Sequence, residues 1–344
     1  MGLTSRYWRI RFARWSTARP AVESGHTLLV PVPGDLPVFL DLALAVCRRQ
    51  HHRTRRATLV IPDYPSDAVR AAVAREQATW PGGGLELLEL PALDRFVLPR
   101  LGDPGRNHGA QIIAGVSAAR TERVILHDAD LFLFDEAFHD RLVDEAVARD
   151  LDVLGIDRAW DSWYAERGRE LAATWEQCTR TRWLRSFPPH RHIGHEAVVD
   201  GEAHVFDTTF WPQLHTPPAR IGLLEREDDD VVHFNYVIST YRKFQRSSGV
   251  FHDRSFRLLL IRLFIDLFDE QGLTYDVPSL EQLASGLGDS HDVRVRYDPR
   301  DGERYADFRR RIGRVLAGPW VRAERASRAV ELLRPFDETY GFTT

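Results

Sequence analysis

The chain has little cysteine, methionine or lysine: of its 344 residues, two are Cys, one is Met and one, Lys243, is Lys. Cys47 and Cys178 lie far apart and form no CxxC pair. That excludes a disulfide scaffold and a cysteine-rich zinc site, and the reading for location is a reducing cytoplasm. Long uncharged runs are also missing. The most apolar stretch, Phe256 to Phe268, is broken by Arg257, Arg262 and Asp266, well short of the roughly 18 uncharged residues a membrane span needs, and reads as a buried helix. No GxGxxG follows the first apolar run, and no GK[ST] follows the glycines of Pro81-Gly82-Gly83-Gly84. A nicotinamide dinucleotide fingerprint and a P-loop are therefore both excluded, and the glycines read as a turn. An excess of positive charge is missing too. With 46 basic against 50 acidic residues and a net charge of −4, no global field exists to hold a nucleic-acid backbone.

What remains is the composition of a folded globular protein, 43% hydrophobic, 28% charged and 10% aromatic, neither collagen-like nor low-complexity nor disordered. The N-terminal stretch Tyr7 to Trp15 alternates arginine with aromatics and has no signal-peptide apolar core. It reads as an arm or edge strand; a membrane-surface anchor is the sharper alternative, because such segments suit a lipid interface. From Thr27 to Asp130 apolar runs and helical patterns alternate, the form of successive β-α-β units and a mainly parallel sheet. Strands are expected at Leu28–Val32, Ala57–Ile61, Leu85–Leu90 and Arg123–His127. Helices are expected at Leu36–Arg49, from about Ala68 to Gln77 with Ser66 or Asp67 as its cap, and at Asn107–Ala119, after a loop Gly102-Asp103-Pro104-Gly105. The second half is less regular, with Trp160, Trp163, Trp175 and Trp183 close together, a loop Pro188 to His195, a helix over Asp230–Gln245, a short strand Gly249–Phe251 and two arginine-rich helical stretches after Glu303.

The segment Val124-Ile125-Leu126-His127-Asp128-Ala129-Asp130 carries the most chemistry. In an extended strand residues i and i+2 face one side, so Asp128 and Asp130 are expected to point together at a strand end. In open α/β sheets ligands sit outside the carboxyl ends of the strands, and hard divalent cations take carboxylate oxygens together with substrate phosphates. The competing reading is that the two aspartates cap a turn and a helix.

Four short segments together resemble GT-A-type glycosyltransferases, family-2-like members in particular. Leu28 to Asp35 resembles their first strand and nucleotide loop, Val60 to Asp67 their second strand with its acidic loop, and Gly105-Arg106-Asn107-His108-Gly109 their Arg-Asn helix leading into Asp128-Ala129-Asp130. The order holds over residues 27–135; the departure is Pro62-Asp63-Tyr64-Pro65, where many relatives have consecutive acidic residues and a glycine. The resemblance implies an α/β fold with a GT-A-like (Rossmann-type) mainly parallel sheet flanked by helices and an elaborated helical C-terminal half. The implied division is a 1–25 arm, a 26–150 nucleotide-sugar-binding half, a 151–300 acceptor-binding half and a 301–344 helical extension. It also implies a nucleotide-diphosphate sugar donor bridged by Mn2+ or Mg2+ through Asp130 and Asp128, with His252 as a third metal ligand and His233 competing for that place. Pro31, Asp63, Arg106, Asn107 and Asp128 would line the donor site, and Glu227 or Asp228, ahead of the expected 230–245 helix, would take the proton of the acceptor. An acidic N-cap run is the plainer reading of Glu225 to Asp230. The acceptor, a small molecule, glycan or peptide, is not specified by these residues. A nucleotidyltransferase on a similar core and a non-catalytic nucleotide-sugar-binding scaffold are the competing functions; the first is weakened by the absence of a Gly-rich basic loop after the first strand.

Overall fold

The computed structural model describes residues 3–64, 66–101, 104–252, 254–288 and 293–342. Pro65, Gly102 and Asp103, named above, lie outside them. The chain divides into two compact units, Met1–Asp230 and Val231–Thr344.

In the first unit the elements run α1 (Leu3–Arg11), β1 (Glu23–Val32), α2 (Pro37–Arg49), β2 (Arg55–Pro62), α3 (Asp67–Gln77), β3 (Gly84–Leu87), α4 (Ala92–Leu101), α5 (Pro104–Ala118), β4 (Thr121–His127), β5 (Leu131–Leu133), α6 (Phe138–Ala148), β6 (Val153–Gly155) and α7 (Ser162–Ala165). They continue with β7 (Glu176–Arg180), α8 (Thr181–Ser186), β8 (His195–Val199), β9 (Glu202–Phe206), α9 (Phe210–Leu214) and β10 (Ile221–Leu223). A seven-stranded sheet is ordered β10-β6-β7-β4-β1-β2-β3. β1 is parallel to β2 and β4, β2 to β3, and β10 to β6, while β7 is antiparallel to both β4 and β6. Six of the seven strands thus share one direction, and their carboxyl ends share one edge.

The central strands are continuous apolar runs because both faces are covered. Leu29, Leu59, Ile61, Val124 and Leu126 face one side, packed with α5 and α8. The period of two sends Leu28, Val30, Val60 and Ile125, all fully buried, to the other side. Two details place the helices. Ser66 caps α3, its Oγ accepting from Val69 N at 3.2 Å; and Gly115 lets α5 lie against the sheet, since a Cβ there would stand 2.6 Å from Ile61 Cδ1 and 3.0 Å from Leu29 Cδ1.

Three expectations need correction. The N-terminal segment is the helix α1, neither an arm nor an edge strand, and Trp8 and Phe12 are buried in the core, so its aromatic face is used in packing and not on a lipid surface. Asp128 and Asp130 do not sit in a strand: β4 ends at His127 and residues 128–130 form a turn closed by Leu131 N donating to Asp128 O at 3.1 Å. The expected 230–245 helix begins later. Val231–His233 is a strand, as its β-branched residues favour.

The second unit contains that strand, β11 (Val231–His233), then α10 (Val237–Arg246), α11 (Ser255–Phe268), α12 (Leu280–Ala284), α13 (Gly302–Leu316) and α14 (Ala323–Tyr340). α11 is the apolar helix expected, and it packs with α10 and α14. In place of a 249–251 strand there is a single bridge from Phe251 to Val295. Among the described residues no helix is long and apolar enough to cross a membrane.

Candidate functional site

The carboxyl edge of the sheet gathers the loops after β1, β2, β4, β6 and β10, the place where open α/β sheets bind ligands. After β1 and β2 the chain is clamped. Asp63 is 5% exposed and its Oδ1 accepts from Gly34 N at 2.8 Å and from Tyr64 N at 2.9 Å, tying the two loops together. Gln111 of α5 reaches the same place, its amide donating to Val32 O at 3.0 Å and to Ile61 O at 2.5 Å, near the ends of both strands. Pro31, expected to line the donor site, lies buried within β1 opposite Ile61.

After β4 comes the acidic turn. Asp130 is 6% exposed and Asp128 is half-buried; a carboxylate oxygen of each lies within 4.8 Å of the other. The first turns of α5 bring Arg106, Asn107 and His108 to this point. His108 Nε2 stands 3.2 Å from Asp128 Oδ1. Burial would lower the pKa of His108, but Asp128, Asp207 and Asp130 outweigh it and raise it. Asp207 is itself raised, by burial first. Asn107 is buried, and its Oδ1 has no hydrogen-bond partner among the described residues. Arg106 is half-buried and its Nε donates to Gly194 O at 3.3 Å.

Behind the turn lies a buried polar relay that sequence reasoning missed. His127, the last residue of β4, is in register with Glu176, the first of β7. Glu176 Oε2 accepts from His127 Nδ1 at 2.7 Å and Oε1 from His139 Nε2 at 3.0 Å, with all three side chains fully buried. Burial disfavours the charge on both partners, yet His127 keeps Glu176 low, and Cys47 and Glu176 together hold His127 high, while burial lowers His139. A buried charge is tolerable only when paired and hydrogen-bonded in this way. The pair fixes the start of the acidic turn, where Asp128 N donates to Trp175 O at 3.0 Å.

Further along the edge, Asp157 follows β6 and accepts from Arg226 at 2.7 Å and from Trp175 Nε1 at 3.1 Å. Trp160, 48% exposed, stacks on Trp175 with ring centroids 5.3 Å apart, whereas Trp183 is core. Glu227 and Asp228 are exposed and leave the same edge after β10, but no helix N-terminus stands behind them: Asp228 opens a single 3-10 turn that leads into β11. The dipole argument for their role therefore fails. His233 and His252 belong to the second unit, the first buried in β11 and the second exposed after Phe251. His192, in the loop Pro188 to His195, is fully buried.

The missed residues had partial signals. His108 stood inside the segment that carries the resemblance, and Gln111 lies one helical turn after it. The β8–β9 hairpin was announced by Asp200-Gly201, both at positive φ (50° and 85°) as a tight hairpin turn requires. Nothing in the polar run Glu176-Gln177-Cys178-Thr179-Arg180 marked a central antiparallel strand.

No family model and no curated protein matches the chain. Among solved structures it is similar to Staphylococcus aureus TarS 1–349, at 15% identity and a TM-score of 0.40 over 92% of this chain and 89% of that one. It is similar also to the mannosyltransferase PcManGT from Pyrobaculum calidifontis in complex with GDP-Man and Mn2+, at 14% identity and TM-score 0.39 over 96% and 81%. A third is glucosyl-3-phosphoglycerate synthase from Mycobacterium tuberculosis in complex with Mn2+ and UDP-glucose, at 11% identity and TM-score 0.39 over 73% and 86%. At these levels no substrate and no residue's role passes from those proteins to this one. The chain is an α/β protein with a mainly parallel, helix-flanked sheet, as its own strand order shows, and residues 27–135 carry the resemblance to GT-A-type glycosyltransferases.

Proposed function

We propose that the protein is a glycosyltransferase that moves a sugar from a nucleotide-diphosphate donor to an acceptor hydroxyl, dependent on a divalent cation. The observation that carries this reading is the acidic turn Asp128-Ala129-Asp130 at the carboxyl end of central strand β4, next to the clamped loops of β1 and β2. Two hard carboxylates in one turn suit Mn2+ or Mg2+, and Asp128 and Asp130 would hold it. Once bound, such an ion offsets the negative charge that grows on the leaving diphosphate.

The chain's own groups supply the rest. Asp63 and Gln111 hold the β1 and β2 loops in one fixed arrangement against which the nucleoside would bind. Arg106 and Asn107, in the first turn of α5 just ahead of His108, are assigned to the donor's ribose and phosphates. The His127–Glu176 pair keeps the turn from shifting as charge develops, the kind of preorganisation that favours a transition state over a ground state. Glu227 or Asp228, off β10 at the same edge, takes the acceptor proton. The half-exposed Trp160–Trp175 stack offers a flat face for a sugar ring.

The test is thermal stability with uridine, guanosine, thymidine and cytidine diphosphates, each with and without Mn2+, because a ligand bound only by the folded state must raise its melting temperature. One nucleotide should stabilise the protein with Mn2+ only, and Asp130→Ala should abolish the effect. Equal stabilisation of the variant, or none by any nucleotide, would defeat the proposal.

A further inference from the structure

The loop 190–195, hairpin β8–β9, α1 and the start of α5 enclose a groove of about 740 Å3 within the first unit. Three guanidinium groups line it, those of Arg9, Arg106 and Arg191; its carboxylates, Glu196 and Asp200, are exposed on the hairpin. Elsewhere in this unit some arginines are matched to acids, as Arg11 is to Asp94 and Arg220 to Asp152, and others to backbone carbonyls, as Arg123 and Arg185 are. Neither Arg9 nor Arg191 has a carboxylate within ion-pair distance among the described residues, and burial together with the neighbouring Arg9 disfavours the charge on Arg191. Like charges gathered in one groove with no carboxylate paired to Arg9 or Arg191 oppose folding, and an anion would offset them.

Arg191 is mounted rigidly. Its guanidinium lies 4.1 Å over the Trp211 ring, whose other neighbour His215 stacks at 3.8 Å, and its Nη1 donates to His195 Nε2 at 3.2 Å. The neutral imidazole of His195 is fixed for that role by donating from Nδ1 to Ile193 O at 2.7 Å. A planar fork held this way matches a phosphate oxygen pair. The volume is that of a pocket for an organic molecule, not for a lone ion, and the buried Trp8 and Ile193 give it an apolar wall. The inner end adjoins the acidic turn: Gly109 packs so closely on Ile193 that a Cβ would stand 3.1 Å from its Cα, and the preceding residue, His108, lies against Asp128.

We infer that this groove binds the phosphate group of a phosphorylated polyol or sugar through Arg9 and Arg191, presenting its hydroxyl end to the Asp128–Asp130 turn. Its role as acceptor rests on the transferase reading; the anion site itself does not.

The experiment is isothermal titration of the full chain, without metal or nucleotide, using glucose 6-phosphate, glycerol 3-phosphate, glucose and inorganic phosphate. At least one phosphate ester should bind more tightly than inorganic phosphate, glucose should not bind, and affinity should fall as salt is raised. Arg191→Gln and the exposed-site variant Arg9→Gln should each weaken that ester by about tenfold or more, with unchanged melting curves for Arg9→Gln. Asp130→Asn should bind the ester as the parent does. No binding by either ester, equal affinity for inorganic phosphate, or undiminished affinity in the Arg9→Gln/Arg191→Gln double variant would overturn the inference. Ester binding retained in a protein that no nucleotide stabilises would sink the transferase reading and leave the groove standing; the reverse result would sink the groove alone.

Discussion

Replacing Gly34 by alanine should damage both stability and donor binding, for a reason visible in one contact. A Cβ on Gly34 would lie 1.9 Å from Tyr64 O and 2.9 Å from Tyr64 C, both backbone atoms that no rotamer change can move. The β1 and β2 loops must separate by about an ångström to admit it, and the casualty is the bond from Gly34 N to the buried Asp63 carboxylate. Overpacking costs about 1–3 kcal/mol and a lost hydrogen bond to a buried charge about 1.5–3 kcal/mol, so the expected loss is roughly 3–6 kcal/mol. For a cooperative unit of this size that is a fall of roughly 6–24 °C in Tm. Scanning calorimetry with Gly84→Ala as control measures it, since a Cβ at Gly84 meets only Glu86 Oε1 at 3.7 Å and should change little. A Gly34→Ala protein that melts with its parent and keeps nucleotide-dependent stabilisation would refute the claim that the Asp63 clamp shapes the site.

Three further outcomes follow from the same geometry. Gln111→Leu removes the side-chain donor from the buried carbonyl of Ile61, while Val32 O keeps its bond from Asp63 N at 3.1 Å, and denaturant titration should show a loss of about 1–3 kcal/mol; an unchanged midpoint would mean that another group satisfies Ile61 O. Burial pushes His192 down to about 4 while its Nε2 donates to Leu184 O at 2.8 Å. Its folded pKa is thus depressed, so its contribution is full above about 6.5 and is lost as pH falls toward 4, amounting to about 3 kcal/mol. His192→Gln, which keeps a donor, should flatten stability over that window, and an identical slope would contradict the assignment. Trp160→Ala should lower kcat/KM for the acceptor about tenfold with little change in Tm, because its ring is half exposed; an unchanged kcat/KM would remove the aromatic stack from the acceptor site.

The first half of this fold was legible because its strands are buried on both faces and written as continuous apolar runs: Leu28 to Val32 and Val124 to His127 could hardly lie anywhere but in a central sheet. The acidic pair was legible for a less sound reason. Its residues were picked out by a strand periodicity that the chain abandons at His127, and the turn brings the carboxylates together instead. Helix α1 was misread although Trp8, Phe12 and Trp15 stand at i, i+4 and i+7, the spacing of one helical face, because the arginines between them suggested alternation. The strand at Val231–His233 was hidden by its acidic prefix, which looked like a helix cap. The His127–Glu176–His139 relay was beyond reach from sequence, since it depends on a register between strands 49 residues apart. Long-range polar pairing leaves no local periodicity to read.

The central claim is that the acidic turn serves transfer of a sugar from a nucleotide diphosphate, and the most direct measurement is chromatographic product analysis. The protein would be incubated with UDP- and GDP-sugars and Mn2+ in the presence of polyol and sugar-phosphate acceptors, beside Asp128→Asn and Asp130→Asn. The account predicts metal-dependent release of a nucleoside diphosphate together with a glycosylated product, both lost in the two variants. Pyrophosphate in place of nucleoside diphosphate, or turnover that survives in Asp130→Asn, would contradict it.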